Sequence, residues 1–171
     1  MKLSLAKEEM RSGEPDAGYQ LVDTAHADAQ RALIELRDLA RGIHPPALDQ
    51  GLEPALQTLA ARSALPVQVK TALPQRPSAA IESIVYHTAA ELLTNATKHA
   101  HAANVRITLA QSSPGRLRLA VHDDGTGGAT TTPGGGLTGL ADRISTVDGH
   151  LHITSPPGGP TTIVADLPER A

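Results

Sequence analysis

The chain has 171 residues, 40% of them apolar, a formal net charge of −3 and no cysteine. That length allows one domain with an appendage, the charge makes no electrostatic case for nucleic acid, and disulfides and thiolate metal sites are excluded. No apolar run reaches the ~18 residues of a membrane span, no apolar signal-peptide core follows Met1, and the absence of Phe and Trp leaves a core built from Ala, Leu, Val and Ile.

Residues 1–10 read as a short helical piece, and Gly13, Pro15 and Gly18 break it. Val22, Ala25, Ala29, Ala32, Leu36, Leu39 and Ile43 then alternate spacings of three and four, a heptad seam across 20–43. Leu33 and Ala40 widen the seam, which suits a helix bundle. His44-Pro45-Pro46 ends that helix, since a residue before proline avoids the α region, and marks a domain boundary. A short helix over 48–63 turns Leu52, Leu56 and Leu59 inward, and Val67 and Val69 alternate in a strand. After Pro74 and Pro77, Ser78 is the predicted cap of a helix over 79–100. Its inward face is Ile81, Ile84, Val85, Thr88, Ala89, Leu92 and Ala96.

Two alternating pairs follow: 104–110 with 116–123, and 149–155 with 161–168, each joined by a loop containing Pro and Gly. Between the pairs lie a glycine-rich stretch, 125–136, and a helix over 137–148. The second part is therefore an α+β two-layer sandwich, an antiparallel-rich sheet with helices on one face. There is no internal repeat.

Three features bear on chemistry. In helix 79–100, Glu91, Asn95, Lys98 and His99 fall on one strip, at i, i+4, i+7 and i+8. On an isolated helix, Glu91 and Lys98 would be read as a solvated face. Asp123-Asp124-Gly125-Thr126-Gly127-Gly128 follows a strand, but the hairpin context rules out a dinucleotide fingerprint, which needs a parallel β–α–β unit. Gly134-Gly135-Gly136 opens a helix and offers backbone N–H groups to an anion. Together the three could surround one nucleotide. His99 with His101, and His150 with His152, lack supporting Cys or acids and make a poor zinc case. Alternation places His150 and His152 on the solvent face and turns His122 outward. His87 lies one turn before Glu91.

In that order the motifs resemble the GHKL ATPase superfamily: Glu91–Ala100 its N box, Asp124-Gly125-Thr126-Gly127 its first glycine box, Gly134–Leu140 its second. Residues 36–56 and the ending 155–168 resemble sensor histidine kinases of the nitrate-sensor and desaturase-thermosensor type. The resemblance implies a Bergerat-type ATP-binding fold with a mixed sheet, binding ATP or ADP with Mg²⁺. It implies Asn95 as the Mg²⁺ ligand, and Glu91 as the acid that polarises a metal-bound water or the incoming nucleophile. Lys98 and His99 would lie near the phosphates, Asp124 would accept from the adenine amino group, Gly127 would keep the backbone close to the base, and Thr161 would stand near the adenine. Gly125, Gly134, Gly136, Leu137 and Gly139 complete the expected nucleotide site. Pro160 stands where the family usually has a glycine, and the lid segment 128–135 is short.

By the same resemblance, 1–12 is a remnant of a first dimerisation helix, 19–44 the second, and 48–171 the catalytic domain. No histidine followed by an acid lies on a helix, so the phosphoacceptor is expected to be missing and the chain to be a piece of a longer kinase. The expected partners are ATP, a response regulator and, in the full-length protein, a second copy of itself. Nucleic acid and membrane contact are not expected, and the domain is expected in the cytoplasm, with an anchor in the cell membrane open to the full-length protein. Two rivals stand beside this reading: a serine kinase of the anti-sigma-factor kind, and a nucleotide-binding dimerisation module without phosphotransfer.

Overall fold

A computed structural model describes residues 45–132 and 135–171, and His44–Ala171 forms one compact unit. The expectations for 1–12, 19–44 and Gly134 lie outside the described residues.

A 3₁₀ turn, Pro46–Leu48, leads into α1 (Leu52–Ala61), β1 (Val67–Ala72) and α2 (Ala79–His99). Then come β2 (Val105–Ser113), β3 (Arg116–Asp123), α3 (Gly136–Ser145), β4 (His150–Thr154) and β5 (Thr161–Pro168). The strand order is β1-β2-β3-β5-β4, with β1 parallel to β2 and every other pair antiparallel. The sheet is thus mixed, with one open-ended layer of strands and one of helices.

Period-two alternation decides which side chains face the helices. Val105, Ile107, Leu109, Leu117, Leu119, Val121, Ile163, Ala165 and Leu167 are buried, and the residues between them are half-buried or exposed. Against this face α2 sets Ile81, Val85, Thr88, Ala89, Leu92, Leu93 and Ala96. Ile84, expected inward, is only half-buried, while Leu93 is buried, so the inward stripe sits one residue further round the helix. The core is wholly aliphatic, as composition required. Tyr86, on α2, is half-buried, packs against this core and meets the His87 imidazole edge to face at 5.6 Å between ring centres.

Several boundaries differ from the periodic reading. The predicted helix 48–63 begins as a 3₁₀ turn and restarts at Leu52, because Gly51 adopts φ 92° between them. The helix expected over 137–148 runs Gly136–Ser145. Ser78 stands at the N-cap of α2, yet its hydroxyl accepts from Ala171 N–H (3.4 Å) rather than capping the helix. The first-turn acid Glu82 is 1% exposed, which no periodicity suggests. Arg76 accounts for it: Nε and Nη2 donate to the two Glu82 oxygens at 2.8 and 2.9 Å, and Nη2 also reaches Leu48 O at 2.7 Å. A buried carboxylate needs such a partner.

That guanidinium binds the 3₁₀ turn to α2, and Leu48 is completely buried in the same core. Leu48 is therefore part of the domain and not of a free linker. Leu48→Ala should lower unfolding free energy by about 2–5 kcal/mol, the range for a buried Leu truncation. Urea denaturation followed by far-ultraviolet dichroism measures this; a loss below about 1 kcal/mol would place Leu48 in a dispensable linker.

Candidate functional site

A cavity of about 330 Å³ opens where β3 ends and β5 begins. Four groups of residues line it. Leu92, Asn95, Ala96, His99 and Ala100 come from α2, and Val121, Asp123, Thr161 and Ile163 from the strands. Gly127–Thr130 and Thr132 come from the loop, and Gly135, Gly136 and Leu137 from the start of α3. The polar helix strip, the first glycine loop and the glycine-rich helix start thus meet around one space.

Helical geometry splits the strip of four. At about 100° per residue, His99 and Asn95 lie about 20° and 60° to one side of Leu92, and Lys98 lies about 60° further round still. Asn95 and His99 line the cavity. Lys98 lies instead along a separate groove with Leu59, Arg62, Leu93 and Thr97 and does not line the cavity. Glu91 lies at the edge, one turn before Asn95. Its carboxylate touches the start of α3, where a Cβ added to Gly136 would stand 3.0 Å from Oε1.

The two adjacent aspartates part in the same way. Pleating turns Asp123 inward with Val121 and Leu119, 7% exposed, and Asp124 outward. Asp123 Oδ1 accepts from Gly125 N–H at 3.0 Å, and Oδ2 accepts no bond from any described residue. Asp124 lies away from the cavity. Its carboxylate accepts from Asn104 Nδ2 (2.9 Å), Asn104 N–H (2.9 Å) and Ala103 N–H (2.7 Å). The Asn104 side-chain amide first, then the backbone N–H groups, hold it below the usual carboxylate range. Asp124, expected to face a nucleotide, does not line this cavity, whereas Asp123 does. The alternation Leu117, Leu119, Val121, Asp123 carried the signal.

Two glycines of this loop are fixed by close contacts. A Cβ on Gly125 would meet Ala100 O at 2.3 Å, at the end of α2. Gly127 has φ 63°, and its Cβ would meet Pro156 O at 2.0 Å and Gly159 O at 2.4 Å. Backbone bonds sew the same surfaces together: Thr126 N–H to Ala100 O (2.8 Å), Gly128 N–H to Ser155 O (3.1 Å) and Gly158 N–H to Thr126 O (2.7 Å). Thr161, opposite Asp123 in the β3–β5 register, shares a 2.8 Å hydroxyl contact with Ser155, whose Oγ accepts from Ala129 N–H. Pro160, just before β5, leaves this register intact.

Gly136 and Leu137 reach the cavity as expected, whereas Gly125 shapes its wall from behind and Gly139 lies off it. Among the described residues no three His, Asp or Glu side chains form a metal-binding group, and no helix is long and apolar enough to cross a membrane. The Asn95 side chain makes no hydrogen bond to any described residue, so its amide oxygen is available at the cavity.

The protein-family model described as histidine kinase-, DNA gyrase B-, and HSP90-like ATPase matches residues 80–171. The nitrate/nitrite sensor protein NarX of Escherichia coli K12 is 27% identical over 165 residues, covering 91% of this chain and 27% of NarX. The sensor histidine kinase NarS of Mycobacterium tuberculosis is 32% identical over 161 residues, covering 88% of this chain and 37% of NarS. The chain thus spans about a quarter to a third of these relatives. The blue-light activated histidine kinase EL346 of Erythrobacter litoralis shares the fold at a TM-score of 0.54 and 23% identity, over 68% of this chain and 41% of that one. With more than half of its length matched by the family model and a mixed sheet shared with a histidine kinase, the chain belongs to the histidine kinase-, DNA gyrase B- and HSP90-like ATPase family.

Proposed function

We propose that this chain is the catalytic part of a two-component sensor histidine kinase, binding Mg-ATP and presenting its γ-phosphoryl group to a histidine, from which a response regulator takes it. Residues 48–171 are the ATP-binding domain in this reading, and 19–44 supply a dimerisation helix. The observation that carries it is the Asp123 carboxylate, buried at the cavity with one oxygen fixed by Gly125 N–H and the other unengaged. Such an acceptor, above the apolar floor of Val121, Leu92 and Ile163, suits a flat base with an amino donor. Adenine has that donor. Guanine presents a carbonyl there, which a carboxylate repels.

At the opposite end, the first N–H groups of α3 have no intrahelical acceptors and favour an anion such as a polyphosphate. Asn95 would hold Mg²⁺ through its amide oxygen, and the ion, which keeps several waters and takes phosphate oxygens, would supply charge to the phosphates. His99, beside Asn95, adds a donor near that end. Glu91, at the edge of the cavity, is placed to accept a proton from, or orient, an incoming nucleophile. Phosphoryl transfer asks for positioning and electrostatic stabilisation more than covalent chemistry.

Asp123→Asn should weaken ADP binding by about 10–100-fold, the effect of losing a charge-assisted bond. Asp124→Asn should leave the affinity within about threefold. Calorimetry on both variants decides between the two carboxylates, and equal losses would remove Asp123 from base recognition. GTP binding as tight as ATP would remove the adenine assignment altogether.

Asp124 also yields a pH prediction. Its lowered folded-state pKa contributes stability that is present above the ordinary carboxylate pKa and lost as pH falls through the folded value. The urea-midpoint advantage of wild type over Asp124→Ala should hold from about pH 7 to 5 and shrink below about pH 4. An advantage that grows on acidification would contradict the hydrogen-bond assignment.

Supplied with a helix carrying the family's histidine, the chain should form an acid-labile phosphohistidine from radiolabelled ATP. Asn95→Ala should suppress the label and flatten the Mg²⁺ dependence of ATP binding while leaving the melting profile unchanged. Full labelling by that variant would take Asn95 out of the metal site.

A further inference from the structure

We propose that the outer face of the sheet, bounded by Lys70, Arg106, Arg116 and Arg118, is a docking surface for an acidic segment of a partner protein. The helices pack on the other face, and no described residue covers this one. The register sets out its rows. Gln68, Arg106, His122, Thr162 and Thr154 form one, Lys70, Thr108, Ala120, Val164 and His152 the next, and Ala72, Ala110, Arg118, Asp166 and His150 the third. The centre is low and weakly polar, with Thr108, Ala110, Ala120 and Val164 all half-buried. The cations stand around it.

An uncovered polar sheet face is ordinary in itself. The sign of its charge is not: in a chain of net charge −3, this face carries four cations against two carboxylates, Asp166 and, at its edge beside Arg106, Asp124. Arg118 already holds Asp166 at 2.8 and 3.2 Å, and Arg116 donates to Asp148 O at 3.2 Å. Arg106 is less engaged. Its Nε donates to Gln68 Oε1 at 3.1 Å, and its two terminal amino groups have no acceptor among the described residues. It borders a groove of about 510 Å³ with Asn104, His122 and Asp124. The Asp124 oxygens there are occupied by three N–H groups.

The chemistry of the face selects the occupant. Three of the four cations are arginines, whose planar fork pairs with carboxylates. No Phe, Tyr or Trp lies on the face, whose rings are the imidazoles of His122, His150 and His152, so it has no broad stacking platform for nucleotide bases and no Trp or Tyr anchor for a membrane interface. Small central residues let a polypeptide backbone approach closely. A carboxylate-rich segment satisfies the cations and the flat centre together, and this surface lies on the opposite side of the sheet from Asp123.

Anisotropy of a fluorescein-labelled poly-L-glutamate peptide, titrated with the 171-residue chain at low and near-physiological salt, tests this. Binding should weaken with salt as exposed charges are screened. Lys70→Glu/Arg106→Glu should lose about tenfold or more in affinity, while Arg62→Glu, off the face, should stay within about twofold. ADP binding and thermal melts confirm that each variant is folded, and Lys70→Gln/Arg106→Gln replaces the first variant if it is not. Equal losses from Arg62→Glu, no loss from the face variants, or tighter binding to phosphatidylserine vesicles or to oligothymidylate would each overturn the proposal.

Discussion

The antiparallel pairing of β3 with β5 sets Asp123 opposite Thr161, and the rest of the site is built outward from that pair. A strand alternates its faces with a period of two, so a slip by one residue would send Asp123 to solvent and bring its neighbour in. The buried run Leu117, Leu119 and Val121 prevents the slip, because it would expose three aliphatic side chains at once. The carboxylate that lines the cavity is therefore positioned by hydrophobic burial several residues away from it. Beyond the pair, both chains turn into loops that meet again at Gly127 and Pro156, so the cavity wall is continuous with the sheet.

Much of this was legible in the sequence, and the failures have physical causes. Alternation gave the two hairpins and the buried faces of β2, β3 and β5. It also contained the inward position of Asp123, but the Asp-Gly-x-Gly spelling drew the reading one residue forward, to Asp124. Periodicity gave α2, yet a strip of four polar residues on one helix is wide, and only packing against the strands shows that Asn95 and His99 face the space while Lys98 turns from it. Ser78 matched a capping preference that the C-terminal segment overrides by engaging its hydroxyl. The burial of Glu82 could not be read from its own neighbourhood, since its partner Arg76 precedes the helix and is fixed by the Leu48 carbonyl far back in the chain.

The sheet separates two kinds of surface. Its inner side is closed by aliphatic packing and ends in one polar opening; its outer side is shallow and cationic. The boundary runs between consecutive residues, Asp123 and Asp124, one turned to each side. Neighbours in sequence can thus differ fully in role, the first at the cavity and the second locking the turn after α2 through Asn104 and Ala103.

The aliphatic core has an optical consequence. With no tryptophan or phenylalanine in the chain and its tyrosines at 19 and 86, Tyr86 is the sole tyrosine of the compact unit. It rides on α2, the helix that also carries Asn95 and His99. The near-ultraviolet absorbance of this unit is consequently a report on one helix rather than an average over the fold. The bulk of the core is spectroscopically silent, and a tryptophan introduced at a chosen position would shine against an almost dark background.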